Sequence, residues 1–135
     1  MTAKPVILIV EDDELIRMLV AEILRENEFD VVEAANGGAA MVVVLKRPEI
    51  GCVFTDVRMP GEPDGFTLAK YVRRIRPDCP IVLTSGHARP QPGDLDQGTC
   101  FVSKPYSGSQ LLTLINSVMA TAPAGQAAAS IARLQ

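Results

Sequence analysis

The apolar residues of the chain gather in short bursts: VILIV at 6–10, CVFT at 52–55, IVL at 81–83 and CFV at 100–102. Each is too short for a helix and rich in β-branched side chains, so each reads as a strand buried on both faces. FDVVEA at 29–34 is half alternating and reads as a fifth strand. Strands apolar on both faces must be covered from both sides, and the intervening segments carry helical periods. Ile16, Leu19, Val20, Ile23 and Leu24 line one face of a helix, and Leu111, Leu114, Ile115, Val118 and Met119 nearly repeat that pattern. Residues 65–75 bring Leu68, Val72 and Ile75 together, opened by Asp64-Gly65 and stopped before Pro77. The segment GGAAMVVVLKR favours a strand by its Val run, but its place between two strands demands a crossover, and it is assigned as a helix.

Alternating strands and helices predict an α/β fold: a doubly wound parallel sheet of five strands joined by right-handed crossovers. A chain of 135 residues, 47% hydrophobic and 21% charged, has room for one such core. That core is expected over 1–120. An Ala-rich tail over 121–135 is expected to hold at most a short helix at 126–134, with no output domain following. A net charge of -3 without a Lys/Arg run argues against direct nucleic-acid binding. The N-terminal run PVILIV falls far short of the ~20 residues of a membrane span, and MTAK lacks a signal-peptide pattern, so no membrane association and a cytoplasmic location are expected. Cys52, Cys79 and Cys100 show no C-x-x-C spacing and are expected to be reduced, mostly buried thiols.

In open sheets of this kind ligands bind at the carboxyl ends of the strands. Along that edge the sequence places Glu11, Asp12 and Asp13 after the first strand, Asp56 after the third, Thr84 and Ser85 after the fourth, and Lys104-Pro105 after the fifth. Taken singly, these are ordinary turn, cap and loop residues. Together they form one constellation. Clustered carboxylates repel unless a cation neutralises them, and an oxygen-only ligand set suits Mg²⁺. A magnesium site beside one lysine and one hydroxyl suits a phosphoryl group, with Asp56 as nucleophile or acceptor.

The set ILIVEDD, FTDVRMPG…DG, IVLTSG and FVSKPY closely resembles the receiver domain of two-component response regulators, in the family's order and over roughly residues 5 to 120. The resemblance implies the flavodoxin-like (β/α)5 receiver fold with strand order 2-1-3-4-5. It also implies Asp56 as phosphoacceptor, Asp12 as a direct Mg²⁺ ligand, Glu11 as its acidic neighbour acting through water, and the backbone carbonyl of Arg58 as a further ligand. Arg17, five positions after Asp12, supports that register and leaves Asp13 as an additional acid. Thr84 is then the switch hydroxyl, Lys104 the cation that pairs with the phosphoryl group, and Phe101 the switch aromatic. The implied phosphodonor is a phosphohistidine on a sensor histidine kinase or a histidine phosphotransfer protein, and the implied recipient of the signal is a downstream protein target. A weak homodimer is a further expectation. Chemistry would be limited to the domain's own aspartyl phosphorylation and dephosphorylation.

Two stretches depart from the family pattern. The loop PGEPDG is one residue longer than the common form and resembles receivers attached to, or working with, hybrid sensor kinases. Residues 86–99, GHARPQPGDLDQGT, stand where the family has its fourth helix, yet their prolines and glycines predict a short or irregular element of a turn or two around 93–97. His87, the only histidine, is read there as a solvated side chain. Two rival functions stay open. An aspartyl-nucleophile phosphohydrolase would carry a second Asp two residues after the first, where Arg58 stands. A receiver-like module that is never phosphorylated would not need the full set of acids, hydroxyl and lysine.

Overall fold

The computed structural model of the chain describes residues 4–120 except 88, 92, 94 and 97. Five strands, β1 (Val6–Val10), β2 (Asp30–Ala34), β3 (Ile50–Asp56), β4 (Ile81–Ser85) and β5 (Thr99–Ser103), pair in parallel in the order β2-β1-β3-β4-β5. Four helices cover them: α1 (Glu14–Glu26), α2 (Gly37–Lys46), α3 (Gly65–Ile75) and α4 (Gly108–Ala120). Among the described residues no helix is long and apolar enough to cross a membrane. The tail expected at 121–135 lies outside the described residues.

Strand periodicity of two sorts the core into two layers. Leu8, Val10, Val53, Ile81 and Leu83 meet Ala40 and Val44 of α2 and Leu68 and Val72 of α3. Ile7, Ile9, Cys52, Phe54 and Val82 meet Val20 and Leu24 of α1 and Leu111 and Ile115 of α4. The Val run of 42–44 is helical because Gly37, Ala40 and Val44 share its buried side, a spacing that only a helix presents to the sheet. Strand β3 is longer than its apolar burst. It begins at Ile50, and a register shift against β1 accommodates Gly51.

Side chains fix where the helices start. Asp13, Asn36 and Asp64 accept the amides of Ile16, Ala39 and Thr67 at 3.1, 2.8 and 2.9 Å. At α4, Ser107 and Gln110 form a reciprocal capping box, Gln110 N donating to Ser107 Oγ at 3.0 Å and Ser107 N to Gln110 Oε1 at 2.7 Å. Gly65 is required by close approach. Its N–H donates to the carbonyl of Val57 at 2.8 Å, and a Cβ there would collide with the carbonyl of Asp56 and lie 2.6 Å from Val57 Cα.

Between β4 and β5 the described residues form no helix. Of the turn or two expected at 93–97, residues 94 and 97 lie outside the described residues, and Gly93 and Gly98 stand in turns with positive φ. Arg73 of α3 ties the end of this connection to the turn between α3 and β4. It donates to Asp96 Oδ2 at 3.2 Å, to the carbonyls of Pro77 and Cys79 at 2.9 and 2.6 Å, and to Thr99 Oγ1 at 3.0 Å. Thr99 Oγ1 in turn donates to Asp96 Oδ1 at 2.6 Å. Burial pushes the Asp96 carboxyl up, but the Thr99 hydroxyl and the Arg73 charge outweigh it and hold the group below the usual carboxylate value.

Candidate functional site

The end of β1 delivers the first acid into a fixed frame. Glu11 is buried, its N–H donates to the carbonyl of Ala34 at 3.1 Å, and its carboxylate accepts the amide of Asp13 at 3.1 Å. Arg17, one turn into α1, donates to the Glu11 carbonyl at 2.8 Å and to Glu33 of β2 at 3.1 Å. Asp12, between Glu11 and the capping Asp13, is exposed. Asp13 therefore serves the helix, while the two preceding acids are left to the sheet edge.

Strand β3 ends in Asp56, only 7% exposed and in register with Thr84 of β4. One carboxylate oxygen from each of Glu11, Asp12 and Asp56 lies within 4.8 Å of the others. Lys104, just past β5, reaches in from the opposite side, its Nζ 3.1 Å from Asp56 Oδ2 and 3.6 Å from Glu11 Oε1. Its backbone is fixed by donation from its N–H to the Ser85 carbonyl at 3.0 Å. Three carboxylates against one ammonium leave the cluster with a negative surplus.

Burial and the neighbouring charges together set the titration shifts. Burial raises the Glu11 carboxyl above its usual value; the Asp13 amide and the Lys104 charge oppose this, while the Asp56 charge reinforces it. Burial works against the Lys104 ammonium, but the hydrogen bond and charge of Asp56, followed by the charge of Glu11, outweigh it and raise its pKa. Hard oxygen donors packed this closely form a metal-binding cluster suited to a small divalent cation. The Thr84 hydroxyl, buried beside them, has no hydrogen-bond partner among the described residues.

The remaining expected residues lie around this cluster. Arg58 is exposed on the loop leaving β3, two residues past Asp56. Phe101 is half-buried on β5, in register with Leu83, and packs on the α2/α3 layer. His87 is exposed, its N–H donating to Ser85 Oγ at 3.1 Å. Cys52 and Cys79 are buried free thiols whose pKa values burial raises, and Cys100 is half-buried.

One neighbour of the site received no role from the sequence. Tyr106 sits edge-on to Phe54, with ring centroids 6.0 Å apart, on the side of the sheet that Phe54 shares with Asp56. Burial, then the charges of Glu11 and Asp56, push its phenol up to about 12, so it stays protonated. Its place directly after Lys104-Pro105 was the available signal, but nothing in the sequence pairs it with Phe54.

Comparison with known proteins was consistent with this geometry. The model of the response regulator receiver domain family matches residues 7–116. The chain is 32% identical over 120 residues to the chemotaxis protein CheY of Bacillus subtilis, covering 84% of this chain and 96% of that protein. It is 34% identical over 119 residues to the sensor kinase CckA of Brucella abortus, covering 84% of this chain and 12% of the kinase. It likewise spans 23% of a putative NtrX-like response regulator of Rickettsia bellii, so several relatives are much longer than the matched region. Among solved structures, a response regulator receiver protein from Sinorhizobium medicae superposes with a TM-score of 0.81 at 28% identity, covering 85% of this chain and 94% of that one.

Proposed function

Because the chain belongs to the response regulator receiver family, and so to phosphorylation-based signalling, we propose that Asp56 takes a phosphoryl group from the phosphohistidine of a sensor histidine kinase or a histidine phosphotransfer protein. The observation that carries this reading is the Asp56 carboxylate itself, buried at a strand end, 3.1 Å from Lys104 Nζ and grouped with two further acids. The P–N bond of the donor breaks as a P–O bond to Asp56 forms, and the imidazole leaves in line. Lys104 stays charged throughout, because its raised pKa keeps the proton on Nζ, and it pairs with a phosphoryl oxygen. The unpartnered Thr84 hydroxyl donates to another.

The acids Glu11, Asp12 and Asp56, with the carbonyl of Arg58, are proposed to hold Mg²⁺, which supplies positive charge to the phosphoryl oxygens when bound. The ion's preference for oxygen ligands and retained waters matches this donor set. The apolar stripe of Leu15, Met18 and Leu19 on α1 is 50–59% exposed, and it begins three residues after Asp12. Such a stripe beside the acceptor suits the helical surface of a phosphodonor protein. A downstream protein then reads the added charge. The phosphohydrolase alternative lacks its second acid, since Arg58 stands two residues after Asp56.

The test is phosphorylation by acetyl phosphate with Mg²⁺, read by intact mass. Wild-type protein is expected to gain one phosphoryl group, and Asp56→Asn none. Label retained on Asp56→Asn, or a wild-type protein inert to acetyl phosphate and to phosphohistidine donors alike, would defeat the proposal.

A further inference from the structure

We propose that the turn from β2 into α2 is a positioning element for the metal-binding loop, acting through the contact of Gly37 with Pro63. The inference rests on the function proposed above, in which the loop after Asp56 supplies the Arg58 carbonyl to the cation.

Gly37 is the first residue of α2, buried, with Asn36 capping the helix in front of it. A Cβ on Gly37 would stand 2.5 Å from the carbonyl oxygen of Pro63, 2.9 Å from its Cγ and 3.0 Å from its Cδ. The nearest of these atoms belongs to the backbone, so no side-chain rotation relieves the clash and the loop itself must move. Gly38, one residue on, has no such neighbour; a Cβ there meets only Asn36 Oδ1, at 3.5 Å. The closeness is therefore particular to residue 37 and not a general feature of the first turn.

Pro63 is the second proline of PGEPDG and immediately precedes Asp64, the cap of α3. On its other side the same loop is gripped by Gly65, packed against the backbone of Asp56 and Val57. Residues 58–63 thus leave a buried strand end and return through a point wedged against α2. With Val57 held just past β3 by its N–H bond to the Thr84 carbonyl, displacement of Pro63 must be absorbed by the few residues between them, among which is Arg58. The atoms nearest a Cβ on Gly37 all belong to Pro63 and not to the acids. Gly37 is a positioning residue, and its partner is the second proline of this loop.

The test compares Gly37→Ala with Gly38→Ala in the full chain. Alanine favours the helix at both positions, so propensity does not separate them. Mg²⁺ affinity is measured by calorimetry, and melting is followed in chelator and in Mg²⁺. Gly38→Ala is expected to bind Mg²⁺ as wild type does. Gly37→Ala is expected to bind it roughly tenfold more weakly, as outer-shell changes at metal sites do. Phosphorylation of Gly37→Ala by acetyl phosphate should recover when Mg²⁺ is raised by the same factor. Should Gly37→Ala not fold, Pro63→Ala, which removes the Cγ and Cδ atoms of the contact, is expected to lower Mg²⁺ affinity while melting near wild type in chelator. A merely structural contact would lower the melt in chelator and leave the affinity unchanged. If wild type responds to Mg²⁺ and both Gly37→Ala and Pro63→Ala match Gly38→Ala, the positioning role is overturned. If wild type itself shows no Mg²⁺ response, the proposed function fails instead.

Discussion

The chain passes from β3 to β4 through α3, which buries Leu68, Ala69 and Val72 against the sheet, whereas the described residues between β4 and β5 form no helix and are tied down by Arg73, Asp96 and Thr99. Both connections join parallel neighbours, and both cross the same face of the sheet. The first is held by apolar area, which is non-directional and tolerant of small shifts. The second is anchored at Asp96 and Thr99 by directional bonds from one guanidinium, which are either made or broken. A parallel crossover thus needs a return path and an anchor, and a helix is one way to provide both. The polar anchor sits in the connection that follows Thr84, the proposed switch hydroxyl, where Leu95 also packs on the core.

The contrast is broken most severely from the apolar side. Leu68→Ala deletes a fully buried side chain and is expected to cost about 2–5 kcal/mol in urea denaturation. Arg73→Ala is expected to cost less, about 1–3 kcal/mol, because the carbonyl of Cys79 and the hydroxyl of Thr99 lose a donor. Arg73→Lys should recover only part of this, since an ammonium cannot span the same fork of acceptors. If Arg73→Ala proves the more damaging, the polar tie is the stronger anchor and the comparison inverts. Asp96→Asn should have the smallest effect, and one that depends on pH. The folded Asp96 carboxyl lies below its unfolded value of about 3.9, so its contribution is present above that pH and is lost as pH falls through the folded pKa. The stability difference between wild type and Asp96→Asn should therefore be flat near neutrality and shrink below about pH 4. A difference that instead grows on acidification would show that Asp96 is not the charged partner of Arg73.

What could be read in the sequence was what depends on near neighbours. Four strands announced themselves as apolar bursts because both faces of the sheet are covered, and Glu11, Asp12, Asp56 and Lys104 could be placed at one edge because each follows such a burst within two residues. Helix α2 was recognisable only by topology, since its Val run points the other way by propensity. The first two residues of β3 escaped because Gly51 carries no side chain to extend the pattern. The Arg73 tie joins residues 23 and 26 positions apart, and no local spacing encodes it. The wedge of Gly37 against Pro63 and the ring contact of Phe54 with Tyr106 are products of packing, invisible until the sheet is assembled. The acids' neighbourhood was legible, but not that Lys104 would divide its charge between Asp56 and Glu11.

The unpartnered hydroxyl of Thr84 bears on how the domain is poised. A buried hydroxyl without a bond carries a penalty of about 1–3 kcal/mol. In the proposed reaction the phosphoryl group supplies the missing acceptor, and relief of that size corresponds to a roughly 5–150-fold change in the ratio of two conformers. On the proposed reading the resting form is the less satisfied one, and signalling relieves a local mismatch at Thr84 without any new element having to fold.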